Sequence, residues 1–214
     1  MSQKKYILAI TGASGSIYAK ILLEELLRSG HKVYLVYSKI ALQVWAHEIE
    51  GEGLNQYLKT LPEDWQKNLV TESNADLGAI IASGSFRHDG MIVAPCSMKT
   101  LASLAHGLAD NLIGRAADVA LKERFPLAML LRETPFSLIH IENMATATRA
   151  GAIMVPANPG FYHGDHSFEG LVNFVAGKVL DTLRIDHQLY TRWKAEGSLG
   201  APHSDEAKGK SDGN

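Results

Sequence analysis

The first fifty residues alternate apolar runs with helical patterns, and this order constrains the fold more than any other feature of the sequence. Residues 6–10 form a continuous apolar run, which is typical of a strand buried in a parallel sheet. A tight turn over 11–15 leads into a helical pattern that Gly30 ends, and a strand over 32–37 and a helix over 39–50 follow. This order predicts an α/β fold whose parallel strands are joined by right-handed crossovers.

The rest of the chain continues the alternation. Further strands are predicted over 91–94, 127–131 and 152–155, and further helices from about 98, over 111–124, over 134–150 with Pro135 at the favoured first position, and over 168–183. Residues 51–75 are poorly periodic, so we expect a surface excursion with one short helix. The composition after residue 193 predicts a disordered tail over 194–214, which leaves 1–193 as one domain.

Composition and charge exclude several classes of protein. The 214 residues are 46% apolar and carry a net charge of −2, which gives no basic surface for nucleic acid or an anionic membrane. No apolar run approaches membrane-spanning length and the start of the chain lacks a secretory pattern, so we expect a cytoplasmic protein. The single cysteine, Cys96, excludes an intramolecular disulfide, and its position at a strand end favours a buried apolar group over a nucleophile.

Charged and hydroxyl side chains directly follow two of the predicted strands. The strand over 91–94 runs into a hydroxyl-rich helix start at 97–100, and the strand over 127–131 runs into Arg132 and Glu133. Open α/β sheets bind ligands at the carboxyl ends of their strands. These residues suggest a site for a phosphorylated ligand, although Arg132 and Glu133 also fit a charged loop before a helix.

The turn over residues 11–15 narrows the kind of ligand. Its backbone amides stand at a helix N-terminus, which is a favourable place for an anion. Two features argue against a dinucleotide: Tyr18 lies near where the last glycine of that fingerprint belongs, and the second strand ends at Ser38 and Lys39 rather than at a carboxylate. A mononucleotide fits the turn better.

Cations on two predicted helices have both a structural and a functional interpretation. Arg115, Asp118 and Lys122 share one helix face, which is typical of a solvated face with an intrahelical ion pair. Lys178 lies on the apolar stripe of its helix, where it is a snorkelling side chain, a partner of Asp181, or a ligand of a phosphate.

An aromatic and histidine-rich segment follows the last strand. Tyr162 fits an aromatic plug under a loop. His163 and His166 lack a third ligand at regular spacing, so the sequence disfavours a metal site.

The chain resembles the UbiX-type flavin prenyltransferases, a family formerly described as aromatic acid decarboxylase subunits. The resemblance is nearly collinear from Tyr6 to Trp193 and omits only the tail and the excursion over 51–75. Together, the segments that carry it are highly specific, and they are Thr11–Gly15, Ser83–Phe86, Ala94–Thr100, Ala109–Leu112, Arg115–Asp118, Leu121–Arg124, Arg132–Pro135 and Phe161–His163.

The resemblance implies a Rossmann-like or flavodoxin-like three-layer fold with a mostly parallel sheet, and FMN as the bound flavin. It implies a homo-oligomer, usually a dodecamer with active sites at subunit interfaces. The implied reaction transfers a dimethylallyl group from dimethylallyl monophosphate to N5 and C6 of reduced FMN without a metal ion. The prenylated FMN then serves a partner UbiD-type decarboxylase, in ubiquinone biosynthesis or in the degradation of phenolic acids.

The resemblance also implies roles for individual residues. The implied FMN ligands are Gly12, Ala13, Ser14, Ser38, Ser97, Met98, Lys99, Thr100 and Arg132. The implied ligands of the prenyl phosphate are Lys122, Tyr162 and Lys178, with Arg115 and Glu48 nearby. The implied catalytic residues are Ser14 and Glu133, which handle protons around N5, together with Glu48 and with Trp193, which helps to close the site.

The sequence departs from the family pattern in two places. Lys178 replaces the usual Arg, which turns a bidentate phosphate contact into a point charge, and residues 162–166 replace a Tyr-His-Arg-Pro segment. Two alternatives remain at this stage: a flavin-dependent cysteine decarboxylase, for which His47 lies in roughly the right region, and a non-catalytic FMN-binding subunit of a decarboxylase complex.

Overall fold

The structure, a computed structural model, describes residues 3–51 and 53–192. The strands within these residues are β1 (Lys5–Ile10), β2 (Lys32–Tyr37), β3 (Leu69–Ser73), β4 (Gly90–Cys96), β5 (Leu127–Leu131) and β6 (Ile153–Pro156). The α-helices are α1 (Ser16–Arg28), α2 (Lys39–Glu48), α3 (Leu54–Thr60), α4 (Glu63–Lys67), α5 (Met98–Ala105), α6 (Leu112–Lys122), α7 (Leu138–Ala150) and α8 (Phe168–Thr182).

The six strands form one sheet in the order β3-β2-β1-β4-β5-β6, and every neighbouring pair is parallel. This is the strand order of doubly wound Rossmann folds. The predicted three-layer α/β fold is therefore confirmed. Within the described residues the sheet is wholly parallel rather than mostly parallel.

Each face of the sheet is covered by its own layer of helices. In β1, Tyr6, Leu8 and Ile10 belong to the core that α1 and α8 complete, whereas Ile7 and Ala9 belong to the core formed with α5, α6 and α7. Successive side chains of a strand point to opposite faces. A strand covered on both faces must therefore be apolar throughout, which explains the continuous run in β1.

The excursion over 51–75 contains more regular structure than we predicted. It holds two short helices, α3 and α4, and then β3, an edge strand whose one partner in the described part of the chain is β2. The prediction of one short helix and no strand was wrong, because β3 (Leu-Val-Thr-Glu-Ser) is a half-exposed edge strand with few apolar residues. Its pairing with β2, rather than its own pattern, defines it.

The start of α7 also differs from the prediction. The helix begins at Leu138 and not at Pro135, because the side chain of Ser137 accepts a hydrogen bond from the backbone N–H of His140 at 3.3 Å and so caps the first turn. Pro135 lies in the exposed segment before this cap. The predicted tail over 194–214 and the residue Trp193 lie outside the described residues.

No helix within residues 3–51 and 53–192 has both the length and the apolar character needed to cross a bilayer.

His88 gives the fold a dependence on pH. Burial between the rings of Phe86 and Phe125 lowers the His88 pKa, although a backbone contact at Gly90 and the charge of Asp89 act in the opposite direction. The folded state therefore disfavours the protonated ring, so the stabilisation from neutral His88 is present above the ordinary pKa of about 6.5 and is lost as the pH falls below it.

We expect the urea midpoint of unfolding to fall between pH 7.5 and pH 5, and to fall less in His88→Phe, which cannot titrate. Urea unfolding of both proteins at the two pH values measures this difference. Equal falls in the two proteins would show that His88 makes no contribution to the pH dependence.

Candidate active site

The crevice of this sheet lies between the carboxyl ends of β1 and β4. From β1 the chain proceeds to β2 on one side, and from β4 it proceeds to β5 on the other, so β1 and β4 flank the topological switch point. The Thr11 hydroxyl donates a hydrogen bond to the Pro95 carbonyl at 2.7 Å, and its oxygen accepts one from the Ser97 N–H at 2.8 Å. These bonds hold the turns after both strands together, and ligands of this fold class bind at this position.

Gly12 allows the first turn to approach α2 closely. A Cβ atom at this position would lie 2.5 Å from Cγ2 and 2.8 Å from Cβ of Ile40. Gly12→Ala should therefore cost about 1–3 kcal/mol of unfolding free energy.

Urea unfolding in a double-mutant cycle tests this clash. Because one clash involves the Ile40 Cβ itself, only Ile40→Gly removes both contacts. In the Ile40→Gly background, Gly12→Ala should cost much less than in the wild type. An equal cost in both backgrounds would show that the clash is not the cause.

The N-terminus of α1 is bound by a carboxylate of the chain itself. One Glu48 oxygen accepts hydrogen bonds from the N–H groups of Gly15 at 2.8 Å and Ser16 at 2.7 Å. Burial raises the Glu48 pKa, but hydrogen bonds from the Ser14 hydroxyl and from these N–H groups outweigh it, and the pKa is lowered overall. Glu48 is therefore ionised near neutral pH. It occupies the Gly15 amide of the turn that we expected to attract an anion, together with the Ser16 amide that follows it.

Two other helices begin at the same edge and carry hydroxyl caps. The Ser38 hydroxyl caps α2 by accepting from the Ala41 N–H at 3.1 Å, and the Ser97 hydroxyl caps α5 by accepting from the Thr100 N–H at 3.3 Å. Lys99 is exposed in the first turn of α5. This helix start combines N–H groups, hydroxyls and a cation, which is the chemistry of a phosphate site.

Arg132 and Glu133 follow β5 at this edge, as predicted. The Arg132 Nε donates to the Ser14 carbonyl at 3.2 Å, and the Glu133 carboxylate accepts from the N–H of Thr134 at 3.1 Å. A groove of about 400 Å³ lies beside Arg132. Its lining residues are Ser14, Gly15, Ile17, Tyr18, Glu48, Ile49, Arg132, Phe168 and Val172.

Tyr18 and Phe168 were absent from the predicted site. Tyr18 is partly buried in the groove wall, where burial raises the pKa of its phenol although the charge of Arg132 acts against this. Phe168 begins α8 and is largely exposed. For Phe168, the sequence offers one signal, a large apolar residue at a helix start. For Tyr18, the sequence shows only that it lies near the position of the last glycine in a dinucleotide fingerprint.

Cys96 is fully buried, and this burial raises the pKa of its thiol. A thiol held in its protonated form is a poor nucleophile. The structure therefore agrees with the interpretation of Cys96 as a small apolar group.

The predicted cations of α6 lie apart from this groove within one chain. Arg115 forms an ion pair with Asp118 at 2.8 Å and donates from Nε to the Ala82 carbonyl at 3.2 Å, while Lys122 contacts Glu123. Because α6 ends just before β5 begins, Lys122 lies at the opposite edge of the sheet from Arg132. The intrahelical ion pair that the sequence predicts on this helix face is therefore present, between Arg115 and Asp118.

Tyr162 and Lys178 form a third group, the α8 group: Lys178 is in α8, and Tyr162 lies in the segment before this helix. The Tyr162 ring packs edge-on against Phe174 with ring centroids 5.6 Å apart. The Lys178 ammonium lies 3.5 Å from Asp181, and its side chain is 48% exposed. This exposure shows that Lys178 lies at the edge of the apolar stripe rather than within it.

Among the described residues, no three His, Cys, Asp or Glu side chains are grouped closely enough to hold a metal ion.

Residues 1–180 match the model of the Flavoprotein family. The fold and its crevice therefore define a flavoprotein of the α/β class, and FMN is the flavin.

More specific similarities identify the family. The flavin prenyltransferase UbiX of Alkalihalophilus pseudofirmus is 44% identical over 193 residues, which cover 89% of this chain and 96% of the relative. A crystal structure of AnUbiX (PadA1) in complex with FMN and dimethylallyl pyrophosphate is 38% identical with a TM-score of 0.81, and covers 91% of this chain and 99% of that one. The chain belongs to the flavin prenyltransferase UbiX family.

A dodecameric FMN-dependent UbiX-like decarboxylase from Escherichia coli O157:H7 is also similar. It is 40% identical with a TM-score of 0.79, and the alignment covers 89% of this chain and all of that one.

Proposed function

We propose that this chain transfers a dimethylallyl group from dimethylallyl monophosphate to N5 and C6 of reduced FMN, and so makes prenylated FMN. The observation that carries this proposal is the grouping of Ser14, Glu48 and Arg132 around one groove at the switch point of the sheet. Membership of the UbiX family and the similar AnUbiX complex with FMN and dimethylallyl pyrophosphate support it.

The residues at this edge fit the groups that FMN presents. The start of α5 would hold the FMN phosphate, because its first-turn amides and the Lys99 ammonium complement a negative charge. The hydroxyls of Ser38 and Ser97 add hydrogen bonds nearby. The remaining proposed FMN ligands are Gly12, Ala13, Ser14, Met98, Thr100 and Arg132.

Ser14, Glu48 and Glu133 would handle protons at the groove. Reduced flavin supplies the nucleophilic positions, so the protein must remove protons and position the reactants. The Ser14 hydroxyl is hydrogen-bonded to the ionised Glu48 carboxylate, which makes a short path for a proton. Glu133 is half-buried at the end of β5 and supplies a second carboxylate. Positioned acid and base groups of this kind contribute about 10²–10⁴-fold to rate.

The predicted cations would stabilise the departing phosphate. Negative charge accumulates on the phosphate as its bond to the allyl carbon breaks, so fixed cations lower the barrier. Lys122, Tyr162 and Lys178 would contact it, with Arg115 nearby. The developing allyl cation favours an aromatic face, which the flavin and Trp193 would supply.

Copies of the chain would assemble to complete each site. Within one chain the proposed FMN ligands, the α6 cations and the α8 group lie in three places. The segment around α7 exposes Phe136, Leu138, Ile139 and Ile141, whereas only Asn143 and Ala147 of this helix are buried. A contiguous exposed apolar surface is typical of a protein interface. The dodecameric relative supports an assembly of twelve copies.

The product would serve a UbiD-type decarboxylase in the cytoplasm, and membership of the UbiX family supports this partner. The partner decarboxylase determines whether the product is used in ubiquinone synthesis or in the degradation of phenolic acids.

Mass spectrometry of the bound flavin tests the proposed reaction. The protein is incubated without oxygen with reduced FMN and either dimethylallyl monophosphate or the pyrophosphate, and the flavin is then released. The expected result is a flavin heavier by one prenyl unit, formed faster from the monophosphate. Unmodified FMN with both donors would contradict the proposal.

A further inference from the structure

Asp181 is the centre of a polar cluster that the proposed mechanism leaves unexplained. Its carboxylate contacts Arg192 Nη2 at 2.7 Å, His187 Nε2 at 3.2 Å, Lys178 Nζ at 3.5 Å and the Tyr190 hydroxyl. Burial raises the Asp181 pKa, but the hydrogen bonds from Arg192 and Tyr190 prevail and lower it to about 2. The carboxylate is therefore charged at any physiological pH.

The four partners of Asp181 have different exposures and therefore different uses. The His187 side chain is only 1% exposed, so this contact fixes the segment after α8 against the helix. Lys178 and Arg192 are 48% and 55% exposed, so their charged ends are open to a ligand. One carboxylate thus holds two accessible cations next to each other.

Aromatic contacts join this pair of cations to Tyr162. The Arg192 guanidinium lies 5.8 Å from the centre of the Tyr190 ring, and that ring lies 4.9 Å from the ring of Phe174. Phe174 in turn packs against Tyr162. The rings of Tyr162 and Tyr190 therefore pack against the same ring, that of Phe174.

The geometry points to Arg192 as a further ligand of the prenyl phosphate, held in place by Asp181 beside Lys178. This inference rests on the proposed function. A guanidinium has five N–H donors, so Arg192 can keep its bond to Asp181 and still donate to a phosphate oxygen. Lys178 makes the longest of the Asp181 contacts, so it can turn to the same phosphate while the other three partners still satisfy the carboxylate.

Asp181 is a positioning residue in this arrangement, and Arg192 supplies the planar, bidentate contact that Lys178 cannot make. Asp186 is a second carboxylate near Arg192. Its charge also raises the Arg192 pKa, but by less than the hydrogen bond and the charge of Asp181 do. In this arrangement the segment over 185–192 covers α8 and also supplies a ligand of the phosphate.

The test compares Arg192→Ala, Arg192→Lys and Lys178→Ala with the wild type in the full-length protein. Arg28→Ala is the matched control, because Arg28 also binds a carboxylate, Glu25, but at the far end of α1. Initial rates are measured against dimethylallyl monophosphate at saturating reduced FMN, and inorganic phosphate is titrated as an inhibitor.

Arg192→Ala should raise the half-saturating donor concentration and the phosphate inhibition constant by roughly tenfold, with a smaller change in kcat. Arg192→Lys should be intermediate and Arg28→Ala unchanged. If Arg192→Ala lowers only the unfolding temperature and leaves both constants unchanged, Arg192 is a structural residue and the inference is wrong.

A direct titration with inorganic phosphate separates this inference from the proposed reaction. If the wild type forms no prenylated flavin, the proposed function fails. Calorimetry of phosphate binding to the wild type and Arg192→Ala still decides whether Arg192 binds phosphate, because that measurement needs no turnover. Equal phosphate affinity in the two proteins overturns the inference.

Discussion

Glu133→Gln should bind FMN as the wild type does and form prenylated FMN about 10²–10⁴-fold more slowly. Glutamine keeps the shape of the side chain and can still accept from the Thr134 N–H, a contact that Glu133 makes at 3.1 Å. It cannot accept a proton. Forming the bond at N5 and closing the ring at C6 both require proton movement, so the loss should appear in kcat and not in flavin affinity.

Single-turnover formation of the modified flavin, followed by absorbance and mass spectrometry, measures this effect. Glu63→Gln is the matched control, because Glu63 is a highly exposed carboxylate on α4, outside the groove and outside the exposed apolar segment around α7. Its rate should equal that of the wild type. A wild-type rate in Glu133→Gln would reduce Glu133 to a charge in the segment before α7.

Lys122→Ala should also lose activity, yet it should regain part of it when mixed with Glu133→Gln in one assembly. Lys122 ends α6 just before β5 begins, at the amino ends of the strands. Glu133 follows β5, at the carboxyl ends of the strands. The five residues of β5 alone span roughly 16 Å. If both residues act on one substrate, they must come from different copies of the chain.

Coexpression of the two variants in equal amounts measures the sharing of the site. A site that takes Glu133 from one copy and Lys122 from another is intact in about a quarter of random pairings, so activity should return to about a quarter of the wild-type value. Mixing Glu133→Gln with Ser14→Ala is the control. Both of these residues would come from one copy, so no activity should return. If the mixture of Lys122→Ala and Glu133→Gln also recovers no activity, the two residues do not act in a site shared between copies.

The central part of the fold was predictable from sequence, because its signals are local. The strands β1, β4 and β5 are covered on both faces, so an unbroken apolar run marks each of them. The edge strand β3 lacks such a run, and only its pairing with β2 defines it. The predicted start of α7 was wrong because Pro135 is a residue typical of a first turn, whereas the hydroxyl of Ser137, two residues later, makes the cap.

The candidate site was predictable in its chemistry and less so in its arrangement. Side chains that follow a strand, such as Arg132, can be placed at an edge of the sheet from topology alone. The contact of Glu48 with Gly15 and Ser16 depends on where α2 ends relative to α1, and no spacing in the sequence encodes that. The role of Asp181 depends in the same way on the return of the segment over 185–192 along α8.

The hydrogen bonds between Glu48 and the start of α1 also bear on the order of folding and binding. The amides of Gly15 and Ser16 already have an internal acceptor, so this turn does not depend on a ligand for its shape. Their hydrogen exchange should be slow in flavin-free protein and should become faster in Glu48→Ala. Flavin would then bind to a preorganised wall, with little loss of backbone entropy at this turn.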